Sequence, residues 1–125
     1  MPSKVLLIED DPFLSDIYRT KFENVGFVVD IAENGSTGIA KATEGKPTII
    51  LLDIVLPQMT GLEILERLKG NEATKNIPVL ILSNLGADGD VKKGLEMGAD
   101  DYLVKSQFTP SEVVAKVNEY LKKDT

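Results

Sequence analysis

Two short apolar runs in this chain end in carboxylates. Lys4–Ile8 leads into Glu9-Asp10-Asp11, and residues 48–52 lead into Asp53. If both runs are parallel strands, their C-terminal ends lie side by side, where open α/β sheets hold their ligands. Carboxylates crowded there repel one another and favour protonation. A small, hard divalent cation relieves that repulsion, and Mg²⁺, held by few carboxylates and several waters, suits the set. Ser83 and Lys105 follow two later apolar runs. An aspartate can accept a phosphoryl group as an acyl phosphate, and a metal, an ammonium and a hydroxyl then meet the charge on its three oxygens. A plainer account covers one residue of the set. Asp11 precedes Pro12 and suits the N-cap of a helix that starts there.

Five apolar runs alternate with five mixed segments, and these elements must position the carboxylates. The strands are expected at Lys4–Ile8 and at 27–32, 48–52, 79–82 and 102–104, with near-continuous apolar sequence that suits burial on both faces. A first helix starts at Pro12 and stops at Gly26, with Phe13, Leu14, Ile17, Phe22, Val25 and the Lys21 stem as its inward stripe. Asn34-Gly35 has the look of a hairpin turn but precedes a helix over 36–44, with Ile39 and Ala40 inward. A third helix follows Gly61 with Leu62, Leu65 and Leu68 inward. A fourth spans 90–97 and is weakened by Gly94. The last opens at Pro110, with Val113, Val114, Val117, Tyr120 and Leu121 buried. Short βα connections require parallel strands and right-handed crossovers. The expected fold is α/β, a doubly wound (βα)5 three-layer sandwich, and residues 1–125 form a single domain.

Composition removes several kinds of chemistry. The chain has 125 residues, no cysteine, no histidine and a formal charge of −6. Imidazole bases, catalytic triads, thiol chemistry and the usual zinc sites are excluded. An acidic surface argues against direct nucleic-acid contact. No run approaches the ~18 apolar residues of a membrane span. A cytoplasmic location with no membrane partner is the expectation.

The chain resembles response-regulator receiver domains of two-component signalling, over essentially its whole length. The resemblance rests on Val5-Leu6-Leu7-Ile8-Glu9-Asp10-Asp11, on the stretch from Leu51-Leu52-Asp53 to Gly61, on Ile81-Leu82-Ser83, and on the stretch from Gly98-Ala99-Asp100-Asp101 to Tyr102-Leu103-Val104-Lys105. It implies a five-stranded parallel sheet of order 2-1-3-4-5. It makes Asp53 the phosphoacceptor for a histidine kinase or histidine phosphotransfer protein. Asp10, Asp11, Asp53 and the Val55 backbone carbonyl become the Mg²⁺ ligands. Ser83 and Lys105 become the phosphoryl contacts, and Ser83 and Tyr102 the switch pair. Glu9 is set apart from the metal, because strand alternation turns it away from Asp10 toward solvent or the first helix.

One departure from the family pattern concerns the last loop. The usual proline after the lysine, joined by a cis bond, is replaced by Ser106. Cis geometry costs roughly 2.5–4 kcal/mol without proline, so the loop either bears that cost or is rebuilt as trans. The expected interaction face carries Lys92, Glu96, Asp100, Asp101 and Lys116 and suits a phosphorylation-dependent homodimer. Its other readers are a downstream protein or an effector domain outside this sequence. The chain is accordingly either a stand-alone regulator or the receiver of a longer protein, and it signals rather than turning over substrate. The rival readings are a non-switching adaptor of the same fold and an aspartyl-nucleophile phosphotransferase.

Overall fold

The computed structural model describes residues 3–123. Strands β1 (Lys4–Ile8), β2 (Val28–Ala32), β3 (Ile49–Leu52), β4 (Val79–Ser83) and β5 (Asp101–Val104) alternate with five helices. These are α1 (Pro12–Asn24), α2 (Gly35–Gly45), α3 (Gly61–Lys69), α4 (Asp88–Glu96) and α5 (Pro110–Lys123). Every strand pairing is parallel, and the order is β2-β1-β3-β4-β5. The expected doubly wound sheet is therefore present, with its reversal between β1 and β3.

Strand alternation divides the core in two. Leu6, Ile8, Ile50, Leu52, Val79 and Ile81 face α2, α3 and α4, and pack with Ala42, Ile64, Leu65 and Leu68. Val5, Leu7, Ile49, Leu51, Leu80 and Leu82 face α1 and α5, and pack with Tyr18, Phe22, Val113, Val114 and Val117. Both faces of the central strands are dry, so their sequences are apolar throughout. Burial of these side chains supplies the main drive for folding, at about 25 cal/mol per Å² of apolar surface.

Helix starts follow their caps. Asp11 Oδ1 accepts from the Phe13 and Leu14 amides at 2.9 and 3.3 Å. Asn34 accepts from the Thr37 amide and opens α2, so Asn34-Gly35 is a cap and not a hairpin. Thr60 accepts from the Glu63 amide at the start of α3. Helix α4 differs, since its N-cap is Ala87 and no side chain caps it.

Two expected helix faces are displaced. In α1 the buried residues are Ser15, Tyr18 and Phe22, while Phe13 and Val25 are 75% and 54% exposed. A small serine lies inward because Tyr18 and Phe22 fill the space beside α5, and Leu14 only flanks the cluster. In α2 the buried positions are Gly35, Gly38 and Ala42. Ile39 packs from the side, and Ala40 is exposed. A Cβ on Gly38 would come within 2.6 Å of Ile8 Cδ1, so a glycine lets this helix approach the sheet.

Candidate functional site

The rungs of the sheet carry the carboxylates into place. Beyond Ile8, the Glu9 amide donates to the Ala32 carbonyl at 2.9 Å, and the Asp53 amide donates to the Ile8 carbonyl at 3.1 Å. The parallel ladder thus continues one residue past β1 and β3 and sets the two acids beside each other. The loop after Asp53 is held as tightly. Gln58 has φ 68°, the Met59 amide donates to the Pro57 carbonyl at 2.7 Å, and the Gly61 amide returns to the Ile54 carbonyl at 2.8 Å. A Cβ on Gly61 would overlap the Asp53 carbonyl oxygen and the Ile54 Cα. Only glycine lets α3 begin this close to the end of β3.

Asp53 is buried. Its Oδ1 accepts from the Val55 amide at 3.1 Å, and its Oδ2 lies 3.0 Å from Lys105 Nζ. The same ammonium reaches Glu9 Oε1 at 2.6 Å, and Glu9 Oε2 accepts from the Asp11 amide at 3.3 Å. Carboxylate oxygens of Glu9, Asp10 and Asp53 come within 4.8 Å of one another. These groups line a cleft of about 500 Å³ that also borders Asp11, Val55 and Asn84.

Glu9 therefore corrects the expectation from sequence. It is 2% exposed and faces Lys105 and Asp53, not solvent. Alternation loses its meaning at this position, because residue 9 lies past the strand and both faces of β1 are covered. No local signal marks its partner, since Lys105 is 96 residues away. Asp11 lies on the rim, where its Oδ1 holds two amides of α1, and it stands outside the three-carboxylate group.

The charges in the cleft are unevenly matched. One ammonium serves two carboxylates. Burial works against the Lys105 charge, but the bond to Glu9 and the field of Asp53 outweigh it and raise the Lys105 pKa. Burial pushes the Glu9 carboxyl up, and the charge of Asp53 adds to this against the opposing bond from Lys105. The site thus holds an excess of negative charge that one lysine does not neutralise. Its donors are hard oxygens only, which fits Mg²⁺ and excludes the softer metals that need thiolate or imidazole.

At the end of β4, Ser83 is fully buried and does not line the cleft, and its Oγ accepts from the Leu85 amide at 3.2 Å. The Tyr102 hydroxyl donates to the Leu85 carbonyl. Burial raises the Tyr102 pKa, opposed by the Ser83 hydroxyl nearby. Both expected switch residues thus meet at Leu85. The last loop is rebuilt around Ser106. No peptide bond among the described residues is cis, and Lys105–Gln107 forms a 3-10 turn closed by the Phe108 amide on the Lys105 carbonyl at 3.4 Å.

Of the expected interaction face, Lys92, Glu96 and Lys116 are exposed, and Lys92 lies 4.0 Å from Glu96. Asp101 Oδ1 is turned back to the Tyr102 amide at 2.8 Å. Asp100 is exposed as well, with one carboxylate oxygen engaged inside the domain. Its Oδ2 accepts from the Val79 amide at 2.8 Å and lies 3.4 Å from Lys69 Nζ. A second polar cleft, about 440 Å³, separates α1 from the start of α2. It mixes Asp16 and Glu33 with Arg19 and Lys41, and Lys41 is already paired with Asp30 at 2.9 Å. Charges of both signs there do not converge on a ligand, whereas three carboxylates converge beside Asp53.

Residues 5–118 match the family model for the response regulator receiver domain. Among curated proteins, the chain is 39% identical over 120 residues to the DNA-binding dual master transcriptional regulator RpaA of a Synechocystis strain, covering 96% of this chain and 49% of that protein. The chain spans about half the length of the curated relatives it matches. Among solved structures, the receiver domain of Francisella response regulator 1452 superposes with a TM-score of 0.90 at 31% identity, covering 98% of this chain and 99% of that one. The BeF3-activated N-terminal receiver domain of Klebsiella pneumoniae RstA gives 0.87 at 28% identity, covering 95% and 98%.

Proposed function

The chain belongs to the response regulator receiver domain family, and from that premise we propose that phosphorylation of Asp53 switches a protein-interaction surface. The family is a signalling module and not a turnover enzyme. The observation that carries the proposal is the shared ammonium. Lys105 reaches Asp53 and Glu9 at once, inside a cluster that includes Asp10.

The proposed donor is a phosphohistidine on a histidine kinase or histidine phosphotransfer protein. An Asp53 carboxylate oxygen forms a bond to phosphorus as the phosphorus–nitrogen bond breaks, and the departing imidazole keeps the electron pair and takes up a proton. Mg²⁺, held by Asp10, Asp53 and the Val55 carbonyl, would neutralise the crowded anions when bound. Glu9 is better placed than Asp11 for the remaining acidic contact, because Asp11 already serves α1. Lys105 exchanges the Asp53 oxygen for a phosphoryl oxygen. Ser83 gives up the Leu85 amide and donates its hydroxyl to the phosphoryl group. That exchange moves Leu85, and Tyr102 follows because its hydroxyl is bonded to the same residue.

The readout is a downstream protein, an effector domain in a longer polypeptide, or a second copy of the chain through Lys92, Glu96, Asp100, Asp101 and Lys116. The chain itself is proposed to contact no nucleic acid, in keeping with its net charge of −6. A cytoplasmic location belongs to the same proposal. No helix among the described residues is long and apolar enough to cross a membrane.

Incubation with a small-molecule phosphodonor and Mg²⁺ tests this reading. One acid-stable, base-labile phosphoryl group per chain is expected, and none in Asp53→Asn. Sustained phosphate release without accumulation would favour the phosphotransferase. No labelling of the folded wild type would favour the adaptor.

A further inference from the structure

The two ends of α4 are held in opposite ways. At its start, residues 84–89 are all exposed, and Ala87 gives the helix no side-chain cap. Leu85 ties this loop to β4 and β5 through its bonds with Ser83 and Tyr102. At its end, Gly98 (φ 111°) closes the helix against the Lys69 stem, 3.1 Å from where a Cβ would stand. The Ala99 amide returns to the Gly94 carbonyl at 3.1 Å. Asp100 then meets Val79 twice, amide to carbonyl at 2.8 Å and carboxylate to amide at 2.8 Å. Lys69 Nζ donates to Asp100 Oδ2 at 3.4 Å, to the Ile77 carbonyl at 3.0 Å and to the Lys75 carbonyl at 3.4 Å. One ammonium thereby joins the end of α3, the approach to β4 and the turn between α4 and β5.

We propose that Lys69 and Asp100 form a fixed pivot, about which α4 tilts when its opposite end is pulled by Leu85. Between the ends, the helix meets the sheet at Gly94, the one buried residue of α4. A Cβ there would lie 2.7 Å from Ile81 Cδ1 and 3.1 Å from Tyr102 Cδ2. Gly94 brings no side chain to that contact, and Met97 lies at the clamped end, so Val91 is the packed apolar side chain that rotation must displace. Displacement then grows along the helix from Met97 toward Ala87. The pivot also gives Asp100 Oδ2 a task inside the domain, on a residue that stays exposed. Tilting in response to phosphate rests on the function proposed above, but the pivot itself is a property of the resting protein.

Amide hydrogen exchange in the unphosphorylated protein tests it directly. The Asp90 and Val91 amides, bonded to the Ala87 carbonyl, should exchange faster than those of Met97, Ala99 and Asp100. Lys69→Met and Asp100→Ala should each speed the Met97, Ala99 and Asp100 amides by about tenfold or more, as expected for loss of a charge-assisted hydrogen bond. Asp90 and Val91 should change little, so the gradient should flatten. Equal protection at the two ends in the wild type would overturn the pivot, as would an unchanged gradient in both variants. Addition of beryllofluoride and Mg²⁺ separates the two proposals. Amide shifts at Asp53 and Leu85 in the wild type report that the phosphoryl site works, whatever the exchange gradient shows. With those shifts present, the wild-type shifts along α4 should decline toward Met97, and a uniform change would reject the tilt.

Discussion

The loop after β3 and the loop after β4 leave neighbouring strands on the same edge of the sheet, yet they are built to opposite ends. The first is fixed by backbone contacts, from the Gly61 return bond to the covered Asp53 carbonyl. The second is exposed at all four of its residues, 84–87, and leads into an uncapped helix. Chemistry on a phosphoryl group needs its acceptor held in place, since misplacement erodes the benefit of positioning. Transmission needs a part that moves at low cost. The difference shows that this fold separates the two demands by one strand.

Two glycines offer the severest way to break that contrast. Gly61→Ala should destabilise the protein by about 3 kcal/mol, because backbone atoms must move to admit the methyl group. It should also lower the yield of phosphoryl transfer to Asp53. Gly89→Ala, in α4, meets nothing within 4 Å. It should be neutral or stabilise by up to ~1 kcal/mol through helix propensity. Urea unfolding of both variants checks this, and similar losses would erase the distinction between rigid and mobile loops.

A smaller effect is expected from the charge excess in the rigid region. Burial raises the Glu9 pKa in the folded protein, so the fold binds this proton more tightly than the unfolded chain does. Stability should therefore be greatest with Glu9 protonated and should fall as pH rises from about its ordinary value of 4.5 through the raised folded value. In chelator, Glu9→Gln should exceed the wild type at neutral pH by on the order of 1 kcal/mol, and the advantage should fade below Glu9's ordinary value. Unfolding midpoints across pH measure it. A more stable wild type at neutral pH would mean that the bond to Lys105 outweighs the burial.

The smallest effect lies outside both loops and sets the background for them. The Glu112 carboxylate accepts from the Thr109 amide at 2.9 Å, and the Thr109 hydroxyl accepts from the Glu112 amide at 3.2 Å, a capping box at the start of α5. The bond from the Thr109 amide lowers the Glu112 pKa. Its stabilisation is present above the ordinary value near 4.5 and is lost as pH falls through the lowered one. Glu112→Gln should flatten that part of the acid unfolding curve and leave Asp53 labelling unchanged. A steeper curve would reverse the sign of the argument.

Sequence made the strands legible, because continuous apolar runs have few other uses and strand ends fix where Asp53 and Lys105 emerge, while the order of the strands came from the family resemblance. The departures have local causes. Ser15 lies inward in α1 because Tyr18 and Phe22 occupy the space around it, which no periodicity count over Phe13, Leu14 and Ile17 could weigh. Glu9 was misplaced because alternation was carried past the strand to which it applies. Asp100 reads as one more surface charge, since the sequence does not reveal that the first amide of β4 needs an acceptor.

The bond between Lys105 and Glu9 also bears on how the protein is made. It spans 96 residues, and the one from Lys105 to Asp53 spans 52. A growing chain that has released β1 and β3 from the ribosome already contains the acceptor aspartate, but not the ammonium that completes its surroundings. Closing so long a loop is slow compared with local helix formation. The surroundings of Asp53 are therefore complete only after β5 has been synthesised and Lys105 has docked beside it.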